Sequence, residues 1–154
     1  MSQPRSLFIR PHHLASRFLW SLTANRPPDV ADEVWVEDQL LPGEVRLWRQ
    51  MSNEDRRHSF RVARRFIDVR PEATRAEIAG ALLHDVGKIE CGLGTWGRAA
   101  ASVLGGVTEN FQRYHDHEEI GALLAAEAGS DPATVELIGE AGPAYPALKV
   151  SDRT

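Results

Sequence analysis

The adjacent residues His84 and Asp85, in the stretch ALLHDVGK, place an imidazole beside a carboxylate at the end of a predicted helix. Neutral imidazole nitrogen and carboxylate oxygen are both good ligands for zinc, manganese or iron. Burying the two groups without a cation is costly, because the loss of water penalises each charged form. The pair therefore predicts a metal site, and a helix-end salt bridge is the alternative interpretation.

A second imidazole is predicted to point inward from the preceding helix. The apolar stripe of that helix has members at i, i+4, i+8 and i+11, which lie on one face; they are His58, Val62, Phe66 and Val69. A core histidine hydrogen-bonded to a carbonyl would explain His58 if it stood alone. Beside the His84-Asp85 pair, we interpret His58 as a further metal ligand.

The elements that must position these residues are helices, because helix signals run along the chain and convincing strand signals are absent. An all-α fold is therefore expected. Four residues are candidates for burial near the N-terminus: Val34, Trp35, Leu47 and Trp48. The predicted helices cover 11–25, 31–40, 44–51, a segment from the Ser52 cap to Val69, a segment from the Thr74–Glu77 capping box to Gly87, 117–128 after the Asp116 cap, a segment from Asp131 to near Gly142, and two turns from Pro146.

Length and composition restrict the class of protein. The 154 residues, 42% of them hydrophobic, fit one domain with an ordinary core. The net charge of −4 gives no basic field for duplex nucleic acid, and the single cysteine, Cys91, excludes a disulfide framework. We expect no membrane association, since no segment has the length and apolarity of a membrane span or an export signal, and we expect a cytoplasmic protein.

The segment ALLHDVGK resembles the His-Asp doublet of the HD-domain superfamily of metal-dependent phosphohydrolases, in its HDxGK form. The resemblance covers about residues 55–152 and implies one compact helical bundle over 1–154, with 1–51 as an N-terminal helical extension and 52–154 as the metal-binding core. Family members hold a divalent metal through an earlier histidine, the doublet and a distant aspartate. The resemblance matches these to His58, His84, Asp85 and Asp152, present here in that order.

Other parts of the family pattern are present only in part. The segment HEEIGALL is similar to one that carries a ligand for a second metal, which implies that His117 lies at the site as a ligand or a proton donor. The following helix reads VELIGEAG and lacks the histidine that completes a second site, although Glu140 could substitute as a carboxylate. The resemblance therefore implies one firmly held metal, with His117 and Glu140 as candidates near it.

Two cationic residues are candidates for binding phosphate. Where some family nucleotidases have a catalytic glutamate, this chain has Lys88, which can hold a phosphate oxygen but cannot act as a base while charged. A helix-end lysine that satisfies carbonyls is the alternative for Lys88. Arg57 adjoins His58 and is a candidate for contacting an anionic substrate.

Three functions compete at this point. The first and preferred one is a phosphohydrolase that uses a divalent metal (manganese, iron, zinc, nickel, cobalt or magnesium) on a small phosphate ester, a nucleotide or a phosphodiester. The second is a non-catalytic regulatory module that binds metal and nucleotide. The third is a di-iron oxygenase of the same superfamily, which needs more ligands than the five found without Glu140. The sequence leaves the oligomeric state open.

Overall fold

The computed structural model describes residues 26–89 and 117–153. Two predictions fall outside these ranges, the helix over 11–25 and the Asp116 cap, and so does Cys91. Within the described ranges 71% of the residues are helical and none is in a strand, so the prediction of an all-α fold is confirmed.

Seven α-helices and one 3₁₀ turn make up the described residues. They are α1 (Val30–Gln39), α2 (Pro42–Trp48), α3 (Asn53–Val69), α4 (Arg75–Leu83), the 3₁₀ turn (Val86–Lys88), α5 (His117–Glu127), α6 (Pro132–Ile138) and α7 (Tyr145–Asp152). No helix in these ranges has the length and apolarity needed to cross a membrane.

Side-chain caps fix where the two helices nearest the site begin. The Ser52 hydroxyl accepts a hydrogen bond from the Asp55 backbone N–H at 3.1 Å and starts α3. Thr74 and Glu77 form the predicted capping box of α4, with the Glu77 carboxylate accepting from the Thr74 N–H at 2.8 Å. Both caps satisfy amide groups that would otherwise lack partners in the first turn. The cap residues read from the sequence therefore set the starts of both helices.

Three sequence predictions, one on a helix end and two on burial, are wrong. The helix α6 ends at Ile138 rather than near Gly142, because Gly139 caps it and Glu140 has a positive φ of 58° that no helix tolerates. Val34 is 58% exposed, since the core side of α1 is occupied by Val36 instead. Val69 is also half exposed, so the apolar stripe of α3 leaves the core at its last turn.

The core is centred on α4, which packs against α1, α2, α3 and α6. Leu82 and Leu83 of α4 are fully buried, as are Trp48 of α2 and Phe66 of α3. Thus the described part of the N-terminal segment, which carries Trp48, shares one core with the remaining helices.

The ends of α4 and α7 are brought to one side of this core. The helix α7 packs along α3, and the 3₁₀ turn that follows α4 packs against α5. Gly87 in that turn lies so close to α5 that an added Cβ would clash with the backbone oxygen of His117. A glycine at this position therefore lets the chain after His84-Asp85 lie directly on α5.

Candidate metal centre

Three helices bring three metal-ligand side chains together. His58 lies in the second turn of α3, His84 caps the C-terminus of α4, and Asp152 is the last residue of α7. One donor atom from each of these residues lies within 4.8 Å of the other two. Residues separated by up to 94 positions along the chain thus form one cluster, which we call the donor cluster.

The orientation of His84 tests whether the donor cluster fits a metal. Its Nδ1 lies 2.9 Å from the Ala81 carbonyl oxygen and donates a hydrogen bond there, so Nε2 carries the free lone pair. This Nε2 is buried and has no hydrogen-bond partner. It lies 3.5 Å from Asp152 Oδ1 and 3.6 Å from Asp85 Oδ2, and both distances are longer than a normal hydrogen bond. A buried ring nitrogen that faces two carboxylates without a hydrogen bond is satisfied by a cation, either a proton or a metal ion, so the residues fit a metal.

The charges of the donor cluster act strongly on one another. Asp152 Oδ1 accepts a hydrogen bond at 2.9 Å from His58 Nε2. The imidazoles of His84 and then His58 hold the pKa of the Asp152 carboxyl well below its usual range, although burial opposes this. Burial disfavours the charged form of His84, yet Asp152 and Asp85 outweigh it and raise the pKa of the imidazole. Asp152 therefore stays an anionic donor under ordinary conditions.

Asp85 lies at the edge of the donor cluster and is paired with Lys88. Its Oδ2 is 3.6 Å from His84 Nε2 and 4.0 Å from His58 Nε2. The same oxygen accepts a hydrogen bond from Lys88 Nζ at 2.8 Å. Burial lowers the pKa of Lys88, but the hydrogen bond and charge of Asp85 more than offset this and raise it. The structure thus places all four predicted ligands together and adds a cation that is bound to one of them.

The other predicted site residues are divided between two places. Glu140 lines a cleft of about 350 Å³ that opens onto His84, Asp85 and Asp152. His117 is exposed at the start of α5, and the neighbouring residue Glu118 lines the cleft instead. The expectation that His117 contributes to this cleft is therefore not met by its position.

Arg57 lies on a different surface from the cleft. Although it adjoins His58 in sequence, it lines a groove with Arg26, Phe60 and Arg61. Successive residues of a helix point about 100° apart, which explains the separation. Sequence adjacency to His58 was thus a poor guide to the position of Arg57.

Besides Glu118, three polar residues of the cleft were not singled out from the sequence: Tyr145, Lys149 and Arg153. They occur at i, i+4 and i+8, so they share one face of α7. That spacing was readable in the sequence, but the face they share becomes informative only once Asp152 is known to lie at the donor cluster.

Comparisons with protein-family models, with curated proteins and with solved structures find no match to this chain.

Proposed function

We propose that this chain is a divalent-metal-dependent phosphohydrolase of the HD type that acts on a small phosphate ester. The observation that carries the proposal is the convergence of His58, His84 and Asp152, with His84 Nε2 buried and without a hydrogen-bond partner. The order of these residues, and the HDxGK form around the doublet, support the same assignment. A cleft of suitable volume for a small ligand adjoins them.

Each residue of the site has its own role in the proposed reaction. His58, His84 and Asp152 would hold the ion, and Asp85 is placed to serve as a fourth donor. A bound divalent metal supplies Lewis-acid activation of water and of the phosphate ester. The Ala81 carbonyl holds His84 in the tautomer that presents Nε2. Lys88 brings a positive charge to the edge of the donor cluster, where it can offset charge on a phosphoryl oxygen.

Metal analysis followed by a substrate screen tests this proposal. The purified protein, stripped with a chelator and reloaded with Mn²⁺, Zn²⁺, Fe²⁺, Co²⁺, Ni²⁺ or Mg²⁺, is expected to bind one ion firmly and to hydrolyse phosphomonoesters or phosphodiesters. We expect Asp152→Asn and His58→Ala to lose metal and activity together, while the fold, measured by circular dichroism, persists. Metal content equal to that of the wild type in both variants would contradict the assignment.

Asp68→Asn is the matched control for Asp152→Asn. Asp68 is exposed in α3, ten residues beyond His58, which is about 15 Å along the helix axis. The same change of carboxylate to amide at this position is expected to alter neither metal content nor hydrolysis. A loss of metal in this control as well would attribute the effect to net charge rather than to ligation.

A metal-binding regulatory module is the second candidate. The observation that favours it is the pairing of Asp85 Oδ2 with Lys88 Nζ, which leaves this carboxylate less available as a ligand. Wild-type protein that holds its metal but hydrolyses no phosphate ester in the screen would support the module. The di-iron oxygenase ranks third, because two irons need more protein ligands than the three that the described residues group together.

A further inference from the structure

The face of α7 that borders the donor cluster also carries the cleft's cationic side chains. Lys149 and Arg153 lie one turn apart and line the same cleft as Asp152. Lys149 Nζ lies 5.6 Å from the centre of the Tyr145 ring, which holds the ammonium along this wall. These two side chains are free to contact an anion that also reaches the donor cluster, whereas Lys88 already donates to Asp85.

Two of the carboxylates that line the cleft, those of Glu140 and Glu118, are not members of the donor cluster. Glu140 has φ of 58°, a left-handed conformation that costs a non-glycine residue on the order of 1 kcal/mol. Its carboxylate lies beside the Tyr145 hydroxyl, and burial together with this carboxylate raises the pKa of the phenol. Glu118 of α5 lines the same cleft. A strained residue that presents a carboxylate to a cleft is better explained by ligand contact than by packing, since glycine would be the more stable choice there.

Carboxylate oxygens only accept hydrogen bonds, so a ligand that satisfies Glu118 and Glu140 must offer donors. Hydroxyl groups do this without adding charge. Four carboxylates and two cationic side chains line the cleft, so the lining has no excess of positive charge, and every phosphate of a ligand adds further negative charge. The charge balance thus favours a ligand with one phosphate and several hydroxyls over a polyphosphate.

We propose that the cleft binds a phosphomonoester of a polyhydroxylated alcohol, such as a sugar phosphate, with Lys149 and Arg153 contacting the phosphate and Glu140 and Glu118 accepting from the hydroxyls. This inference rests on the proposed function, because it places the phosphate beside the donor cluster. It adds the substrate class and the residues that select it.

Equilibrium binding to the Mn²⁺-loaded protein tests the inference without requiring turnover. Two probes of equal charge are compared by calorimetry: ribose 5-phosphate, which carries hydroxyls, and ethyl phosphate, which lacks them. The wild type is expected to bind ribose 5-phosphate about tenfold more tightly, the scale of one hydrogen bond to a charged group. Equal affinities for the two probes, or no binding of either, would overturn the inference.

Variants test the cationic residues and the carboxylates of the cleft separately. Glu140→Gly removes the carboxylate while suiting the left-handed backbone, so the protein is expected to be as stable as the wild type or more stable. It should lose the preference for ribose 5-phosphate and keep its affinity for ethyl phosphate. Lys149→Ala and Arg153→Ala should each lower the affinity for both probes about tenfold, the scale of one charge-assisted hydrogen bond. Retention of the full preference in Glu140→Gly would contradict the role given to Glu140.

Two exposed residues away from the cleft provide matched controls. Glu127→Gln at the end of α5 and Arg46→Ala in α2 remove comparable charges and should leave both affinities unchanged.

The failure of the proposed hydrolase activity can be distinguished from the failure of the proposed cleft specificity. A protein that shows this binding pattern but hydrolyses neither probe would count against the hydrolase while supporting the cleft specificity. Hydrolysis of both probes with no preference in binding would support the hydrolase and contradict the cleft specificity.

Discussion

Lys88 is paired with Asp85, and this pairing bears on the role that we propose for it at the site. Its ammonium donates to Asp85 Oδ2 at 2.8 Å, and the charges of Asp55 and Asp152 also favour its protonated form. A metal at the donor cluster would compete with Lys88 for Asp85, because both are cations. The ammonium would then be available to a phosphoryl oxygen. The role that we propose for Lys88 therefore requires its ammonium to leave Asp85 when a metal binds.

We predict that Lys88→Ala leaves metal content intact and lowers turnover by about a hundredfold, the scale for one preorganised electrostatic contact. The effect should fall on kcat more than on KM, because the contact strengthens as charge grows in the transition state. Steady-state kinetics on the best ester from the screen, together with metal analysis, measures it. Turnover equal to that of the wild type would reduce Lys88 to a helix-end residue.

At the scale of elements, the 3₁₀ turn is the part that fixes the doublet. The helix α4 ends at Leu83, and the Lys88 N–H then donates to the Asp85 carbonyl at 2.9 Å, which turns the chain and directs Lys88 back toward Asp85. The turn also packs against α5 through Gly87, where the backbone of His117 occupies the space that a side chain would need. The position of the doublet thus depends on a backbone contact between two elements.

We predict that Gly87→Ala lowers the free energy of unfolding by about 1–3 kcal/mol, as expected for overpacking against atoms that cannot move aside. Gly139→Ala is the matched control, since the nearest atom to an added Cβ there is 3.5 Å away, an ordinary contact. Urea denaturation of both variants gives the comparison. A loss of stability in Gly139→Ala as large as that in Gly87→Ala would show that general helix-end effects, rather than the contact with α5, are responsible.

On the scale of the whole molecule, the helices before α3 are part of the structure that supports the site. Trp48 is fully buried and its indole N–H donates to Glu33 at 3.0 Å, which ties α2 to α1. An added Cβ at Gly43 would clash with the backbone oxygen of Ala128, so α2 lies directly on the end of α5. The Glu44 carboxylate is also buried and lies 3.6 Å from Arg75 of α4. These contacts join the described part of the N-terminal segment to the helices that carry the donor cluster.

We therefore expect Trp48→Ala to destabilise the whole molecule by about 3–5 kcal/mol, the usual cost of truncating a buried aromatic residue. Unfolding should remain a single transition when followed by circular dichroism and by metal release. Val34→Ala is the control, because Val34 is 58% exposed in the same segment and its truncation should cost less than about 0.5 kcal/mol. Separate transitions for helix loss and metal release in Trp48→Ala would show that the N-terminal helices fold independently.

The sequence by itself determined the helical class, the starts of α3 and α4 and the positions of the doublet and His58. These features are local: a cap residue bonds to an amide three positions away, and an apolar stripe needs only the helix period. Where local signals were incomplete, sequence reasoning failed. The exposure of Val34 depends on which face of α1 a neighbouring helix covers. The end of α6 at Ile138 depends on the left-handed turn at Glu140.

Only the tertiary structure decided how these residues meet. The pairing of Lys88 with Asp85, the exposure of His117, the separation of Arg57 and the face of α7 that carries Lys149 and Arg153 all depend on how helices distant in sequence pack. Asp152 could be matched to the site only through a resemblance, since no periodicity relates it to His58, 94 positions away. Packing of α7 along α3 brings His58 Nε2 to 2.9 Å from Asp152 Oδ1. Contacts across the core decide this distance, because they, rather than local propensity, fix where the two helices lie relative to one another.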